Sequence, residues 1–134
     1  MYNHILIPVA PGHGAECSES VDAAQRLLAA GGRISVFSVL EELPSYVASY
    51  LSEKKIEESA NEVTTELKNE IALDGVDVNA VSGHPTNSIL TWAEKHQVDC
   101  IVMSSHRPGL SDLLLGSTAA RVVRHAQCSV VVLR

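Results

Sequence analysis

Five short runs rich in β-branched and aliphatic residues are spaced along the chain: HILIPV (4–9), RISVFSVL (33–40), VDVNAVSG (76–83), VDCIVMS (98–104) and CSVVVLR (128–134). Between them lie segments whose apolar residues recur every three or four positions. Val21, Ala24, Leu27 and Leu28 mark the first helix, which the Gly31-Gly32 pair is expected to end. Ile56, Ala60, Val63, Leu67 and Ile71 mark a long half-exposed second helix that stops at Asp74-Gly75. Pro85 and Thr86 open a third helix carrying Ile89, Trp92 and Ala93, and a fourth is expected over residues 117–126. Strands alternating with helices are joined by crossovers, because a tight turn cannot connect parallel neighbours. Right-handed crossovers of this kind build a doubly wound α/β domain, a parallel sheet with helices on both faces. The alternating 76–83 run reads as a strand nearer the edge of that sheet.

At 134 residues the chain holds one domain, 1–134, with no linker, repeat or low-complexity tract. Its 46% hydrophobic and 19% charged residues exclude a disordered tail. No run approaches the ~18 apolar residues of a membrane span. The start, MYNHILIPVA, lacks the features of a secretory signal. Cys17, Cys100 and Cys128 have no C-x-x-C spacing, so a disulfide framework or zinc site is not expected, and the expected setting is cytoplasmic. His4, His13, His84 and His96 show no metal-ligand spacing. Cys100 and Trp92 read as core residues, Cys17 as a thiol near a helix start, and Tyr46 and Tyr50 as a packing pair.

The net charge of −6 disfavours nucleic acid as a partner. The charge is uneven. Residues 1–102 carry six Lys and Arg against fifteen Asp and Glu (−9), whereas 103–134 carry Arg107, Arg121, Arg124 and Arg134 against Asp112 alone (+3). A local positive field in an acidic chain suits a small anion. The same region, MSSHRPGLSDLLLGSTAARVVRHAQCSVVVLR (103–134), runs from a strand through a polar loop to Gly116-Ser117-Thr118 at a helix start. Unpaired N–H groups of a first helical turn, with the helix dipole behind them, favour phosphate. Gly116 permits close approach, Ser117 and Thr118 offer hydroxyls or a cap, and His106 and Arg107 can add charge-assisted bonds. An ordinary helix cap is the alternative reading. Arg121 and Arg124 suit the helix dipole without any ligand. Neither G-x-x-x-x-G-K-[ST] nor a complete G-x-G-x-x-G is present. In doubly wound sheets the ligand crevice lies beyond the strand C-termini where strand order reverses, which gathers the loops after Val9, Val39 and Met103.

LLLGS (113–117), RHA (124–126) and SVVVLR (129–134), together with HILIPV, ISVFSVL and GHPTNSILTWAEKHQVDCIVMSSH, resemble the universal stress protein family over most of the chain. The SHRP loop (105–108) is most similar to the F/G-type, ATP-binding members. The resemblance implies a five-stranded parallel sheet of order 3-2-1-4-5 and a small cytoplasmic stress-response module that binds ATP, with or without Mg²⁺. Residue by residue it implies that Pro8 and Val9 wall the nucleoside and that Val39 holds the adenine edge through its main chain. Met103, Ser104, Ser105, His106, Arg107 and Gly109 would line the ribose and phosphates. Gly116, Ser117, Thr118 and Ala119 would supply phosphate-facing N–H groups. It also implies a homodimer through the C-terminal strand, 129–134, and an unidentified regulatory protein partner.

Two departures stand out. Relatives usually place Asp after strand one, where this chain has Ala10 followed by Pro11, and Ser104 and His106 or Arg107 replace loop glycines. Ala10 points to the alternative function, a dimeric interaction module of the same fold without nucleotide. At most slow, incidental ATP hydrolysis is expected. Nucleotidyl transferases of the superfamily carry an H-x-G-H pair where this chain has only His13, and Asp112 is the sole carboxylate near the loop.

Overall fold

A computed structural model describes residues 1–10, 17–40, 53–70, 75–105 and 115–134. Strand β1 (Tyr2–Val9) is the centre of the sheet, and its Ile5, Leu6 and Ile7 are all fully buried. Three consecutive buried positions require that both faces of the strand be covered, as in a parallel sheet flanked by helices. Around it the elements run α1 (Ser18–Leu27), β2 (Leu28–Leu40), α2 (Glu53–Glu70), β3 (Val76–Ser82), α3 (Pro85–Lys95), β4 (Cys100–Ser104), α4 (Ser117–His125) and β5 (Ser129–Leu133). All pairings are parallel and the order is β3-β2-β1-β4-β5. The 76–83 run is the edge strand its alternation suggests. The side chains of Ile56, Ala60, Val63 and Leu67, and Ile71, Asp74, Tyr46 and Tyr50 entirely, lie outside the described residues.

Alternate strand residues feed two cores. On one face Ile5, Ile7, Ile34, Val36, Cys100 and Val102 pack with Val21 and Ala24 of α1. On the other, Leu6, Phe37, Val39, Ile101 and Met103 pack with Ile89 and Ala93 of α3 and with Ala119 and Val122 of α4. Cys100 and Trp92 are core residues as expected, Trp92 partly buried against Phe37. Asp99 fastens the start of β1, its carboxylate accepting from the main-chain N–H groups of Asn3 (2.9 Å) and His4 (3.0 Å).

The first helix ends earlier than its periodicity predicts, at Leu27 rather than at the glycines. Leu28 instead pairs with Tyr2 at the start of β2, and the register jumps from Tyr2↔Leu28 to His4↔Arg33. The surplus residues form a bulge that the two glycines accommodate. Gly31 has φ +78°, and a Cβ on Gly32 would lie 3.0 Å from the Ala29 carbonyl oxygen.

Candidate functional site

Between β1 and β4 the strand order reverses, and there the sheet comes apart. The β1–β2 ladder continues to Val9↔Ser38, but the β1–β4 ladder consists of Ile5↔Cys100 and Leu6↔Ile101. Ile7, Pro8 and Val9 therefore run past the last β4 pair. Beyond β4 the chain turns away from β1, because both the N–H (2.9 Å) and the hydroxyl (3.4 Å) of Ser105 donate to the carbonyl of Leu133 at the end of β5. Among the described residues a gap therefore opens over the tip of β1, where a doubly wound sheet takes its ligand.

The residues expected to line it differ in burial. Val39, Met103 and Ala119 are buried, and their side chains belong to the α3/α4 core, so they can meet a ligand only through main-chain atoms. Pro8, Val9 and Thr118 are half-buried, and Ser104 and Ser117 are exposed. Ser105 is buried with its hydroxyl proton directed to Leu133. His106, Arg107 and Gly109 lie outside the described residues, as do His13 and Asp112. Ala10 stands exposed just past β1.

The start of α4 bears on the helix-cap reading of the sequence. Its N-cap is Gly116, not Ser117, and no side chain caps it. The first intrahelical bond runs from Ala120 N–H to Gly116 O (2.9 Å), which leaves the N–H groups of Ser117, Thr118 and Ala119 without a partner inside the helix. The first turn holds no acidic residue, while Arg124 and His125 occupy the last. Among the described residues this first turn is uncapped and has no carboxylate of its own, the arrangement that favours an anion.

One polar atom nearby has no sequence signature pointing to function. Ser38, fully buried beside Val9, has a hydroxyl with no hydrogen-bond partner. Among the described residues no group of three His, Cys, Asp or Glu could hold a metal ion, and no helix is long and apolar enough to cross a membrane.

The sequence profile of the universal stress protein family matches residues 1–134. The chain belongs to that family. Universal stress protein MJ0531 of Methanocaldococcus jannaschii is 34% identical over 95 residues, which are 69% of this chain and 56% of the relative. The universal stress protein in the QAH/OAS sulfhydrylase 3′ region of Thermus aquaticus is 30% identical with both chains fully covered. Among solved structures, that of the hypothetical protein MJ0577 superimposes with TM-score 0.74 at 26% identity, over 99% of this chain and 96% of its own. A universal stress protein in complex with cAMP (19% identity, TM-score 0.62, 99% and 97% covered) shares the fold. So does one from Archaeoglobus fulgidus in complex with dAMP (18%, 0.57, 99% and 98%). The parallel sheet described above is the fold these proteins share.

Proposed function

We propose that this universal stress protein is a nucleotide-binding stress-response module that takes ATP in the gap between β1 and β4. The observation that carries the reading is the uncapped first turn of α4 behind Gly116, where three main-chain N–H groups have no helical partner. Those of Ser117, Thr118 and Ala119 donate to phosphate oxygens, with the Ser117 hydroxyl beside them. Gly116 keeps the approach clear of a Cβ. The main chain of Val39 reads the adenine edge, and Pro8 and Val9 form an apolar wall for the nucleoside. Met103 and Ser104 continue the lining at the tip of β4, joined by Ser105, and His106, Arg107 and Gly109 complete it on the phosphate side. The cAMP and dAMP complexes of proteins with this fold support adenine as the base.

The described residues do not supply a carboxylate for Mg²⁺ in this gap. Position 10 is alanine, and the first turn of α4 offers no carboxylate, so the described residues give the ion no anionic ligand here. The protein's part in this reading is binding, with no residue assigned to catalysis. A homodimer through the β5 edge and a regulatory protein partner complete the proposal.

Titration calorimetry of the full chain with ATP, with and without Mg²⁺, tests it. The expected result is saturable binding little changed by the metal. Absence of heat and of any thermal shift at millimolar nucleotide would leave the second reading, a nucleotide-free interaction module, which Ala10 at the tip of β1 favours.

A further inference from the structure

At the other end of the strands, on the α3 face, a cavity of about 340 Å³ lies against the first half of β2 and β3. Ser35 lies in its floor, four residues before Val39, or about 13 Å along the strand from the nucleotide gap. Arg33 and Lys68 supply two cations, Asp77 one carboxylate and Asn79 an amide, while Trp92 and His96 form a wall.

The polar groups beneath the cavity are already paired. Ser35 Oγ and His4 Nε2 are 2.8 Å apart, and His4 Nδ1 is 3.0 Å from the His96 carbonyl oxygen. A carbonyl only accepts, so Nδ1 carries the proton, Nε2 accepts, and the Ser35 hydroxyl donates to it. This tautomer has a consequence for Arg33. Its guanidinium lies 3.3 Å from the same Nδ1, which has no lone pair left to offer. Arg33 is therefore held at the cavity by a contact that is not a hydrogen bond, and no ion pair joins Arg33 or Lys68 to a carboxylate among the described residues.

We propose that this cavity is a second ligand site, taking a compact organic acid that carries a hydroxyl or ammonium group beside its carboxylate. Arg33 and Lys68 hold the carboxylate, the guanidinium by its two-pronged fork. Asp77 and Asn79 accept from the neighbouring hydroxyl or ammonium. The volume is at the small end for ligand pockets, which suits a compact ligand. Trp92 argues against a nucleobase, because its ring is stacked on His96 (centroids 3.8 Å apart, 20° between planes) and tilted against Phe37 at 5.2 Å. It has no free stacking face for a nucleobase or another aromatic ligand.

Trp92 is the chain's single tryptophan, so its emission reports on this cavity. The full chain is titrated with lactate, L-serine, acetate and inorganic phosphate. Lactate or serine is expected to give a saturable change with a Kd on the order of millimolar. Acetate, lacking the second group, binds several-fold more weakly, and phosphate no better than acetate. Arg33→Gln weakens lactate or serine by about tenfold, the scale of a charged hydrogen bond. Asp77→Asn weakens lactate or serine but not acetate, and calorimetric ATP affinity is the same in both variants as in the parent chain. No saturable response to lactate and serine, a response that survives Arg33→Gln, or tighter binding of phosphate than of either would each overturn the proposal. None of these outcomes bears on the nucleotide gap.

Discussion

His4 lies in β1 with 5% of its surface exposed, among Ser35, Arg33, His96 and Trp92, whose ring meets it edge-on at 5.8 Å. Burial pushes its imidazole below the usual 6.5. The bond to the His96 carbonyl raises it, and the positive charge of Arg33 lowers it again. The folded chain thus holds this proton less tightly than the unfolded chain, so acid favours unfolding. The contribution is fully present above pH 6.5 and is lost as pH falls below that value toward the folded one. The urea midpoint is expected to drop over this window, with His4→Gln flattening the drop, each pH unit between the two values being worth about 1.4 kcal/mol. An unchanged profile in His4→Gln would contradict this. Asp99 acts in a separate range. Burial raises its carboxyl, but the Asn3 and His4 N–H groups outweigh that and hold it below 3.8, so its share persists to stronger acid. Ser38 makes a simpler case, because its buried hydroxyl has no partner to lose. Ser38→Ala is expected to raise stability by about 1 kcal/mol, read as a higher urea midpoint with an unchanged slope.

Among the elements, α3 shows how a helix is stopped by main-chain chemistry. Val98 N–H returns to Ala93 O (2.9 Å) and Gln97 N–H to Glu94 O (3.2 Å), the paired bonds of a Schellman turn, with Val98 packed in the core as its apolar partner. The turn needs a left-handed residue, and Gln97 takes it at φ 55°. Gln97→Gly removes that strain of about 1–2 kcal/mol and gives back part of it as unfolded-chain entropy. A net gain of about 0.5 kcal/mol in thermal or urea unfolding is expected, and a loss would show the glutamine side chain to be stabilising.

Much of this was legible because period-2 and period-3.6 patterns differ over a few residues, so strand and helix order follow from the runs around Ile5, Val36 and Ile89. The α1–β2 boundary was not. Leu28, Ala29 and Ala30 continue a good helical pattern, and what ends the helix is pairing with Tyr2, 26 positions away along the chain. The two proposed sites divide in the same way. The strand tips and Gly116 of the proposed nucleotide gap are placed by element order, whereas the His4 network beneath the second cavity depends on partners 31 and 92 residues distant and leaves no local trace.

At the scale of the whole molecule the sheet has two edges that differ in cover. At β3 the helix α2 packs alongside. At β5, Val130, Val131, Val132 and Leu133 are only half-buried, and Val123 of the neighbouring α4 is 47% exposed. A short apolar edge with one ladder filled by β4 is a template for another strand, and a second copy of the same edge satisfies it through a two-fold axis. The proposed homodimer therefore predicts that the chain sediments as a dimer. Val131→Lys should yield monomer, and because Val131 also touches the α1-side core, its fold is checked by circular dichroism. Val123→Lys is the gentler variant, since its side chain is largely in solvent, and it should weaken the dimer without lowering the melting temperature. A parent chain that sediments as monomer would exclude the dimer, and dimers surviving both substitutions would move the contact away from β5. In either case Ser105 and Leu133 keep their bond within one chain. The residues proposed for the nucleotide gap all come from one chain, so nucleotide affinity is expected to be the same in monomer and dimer.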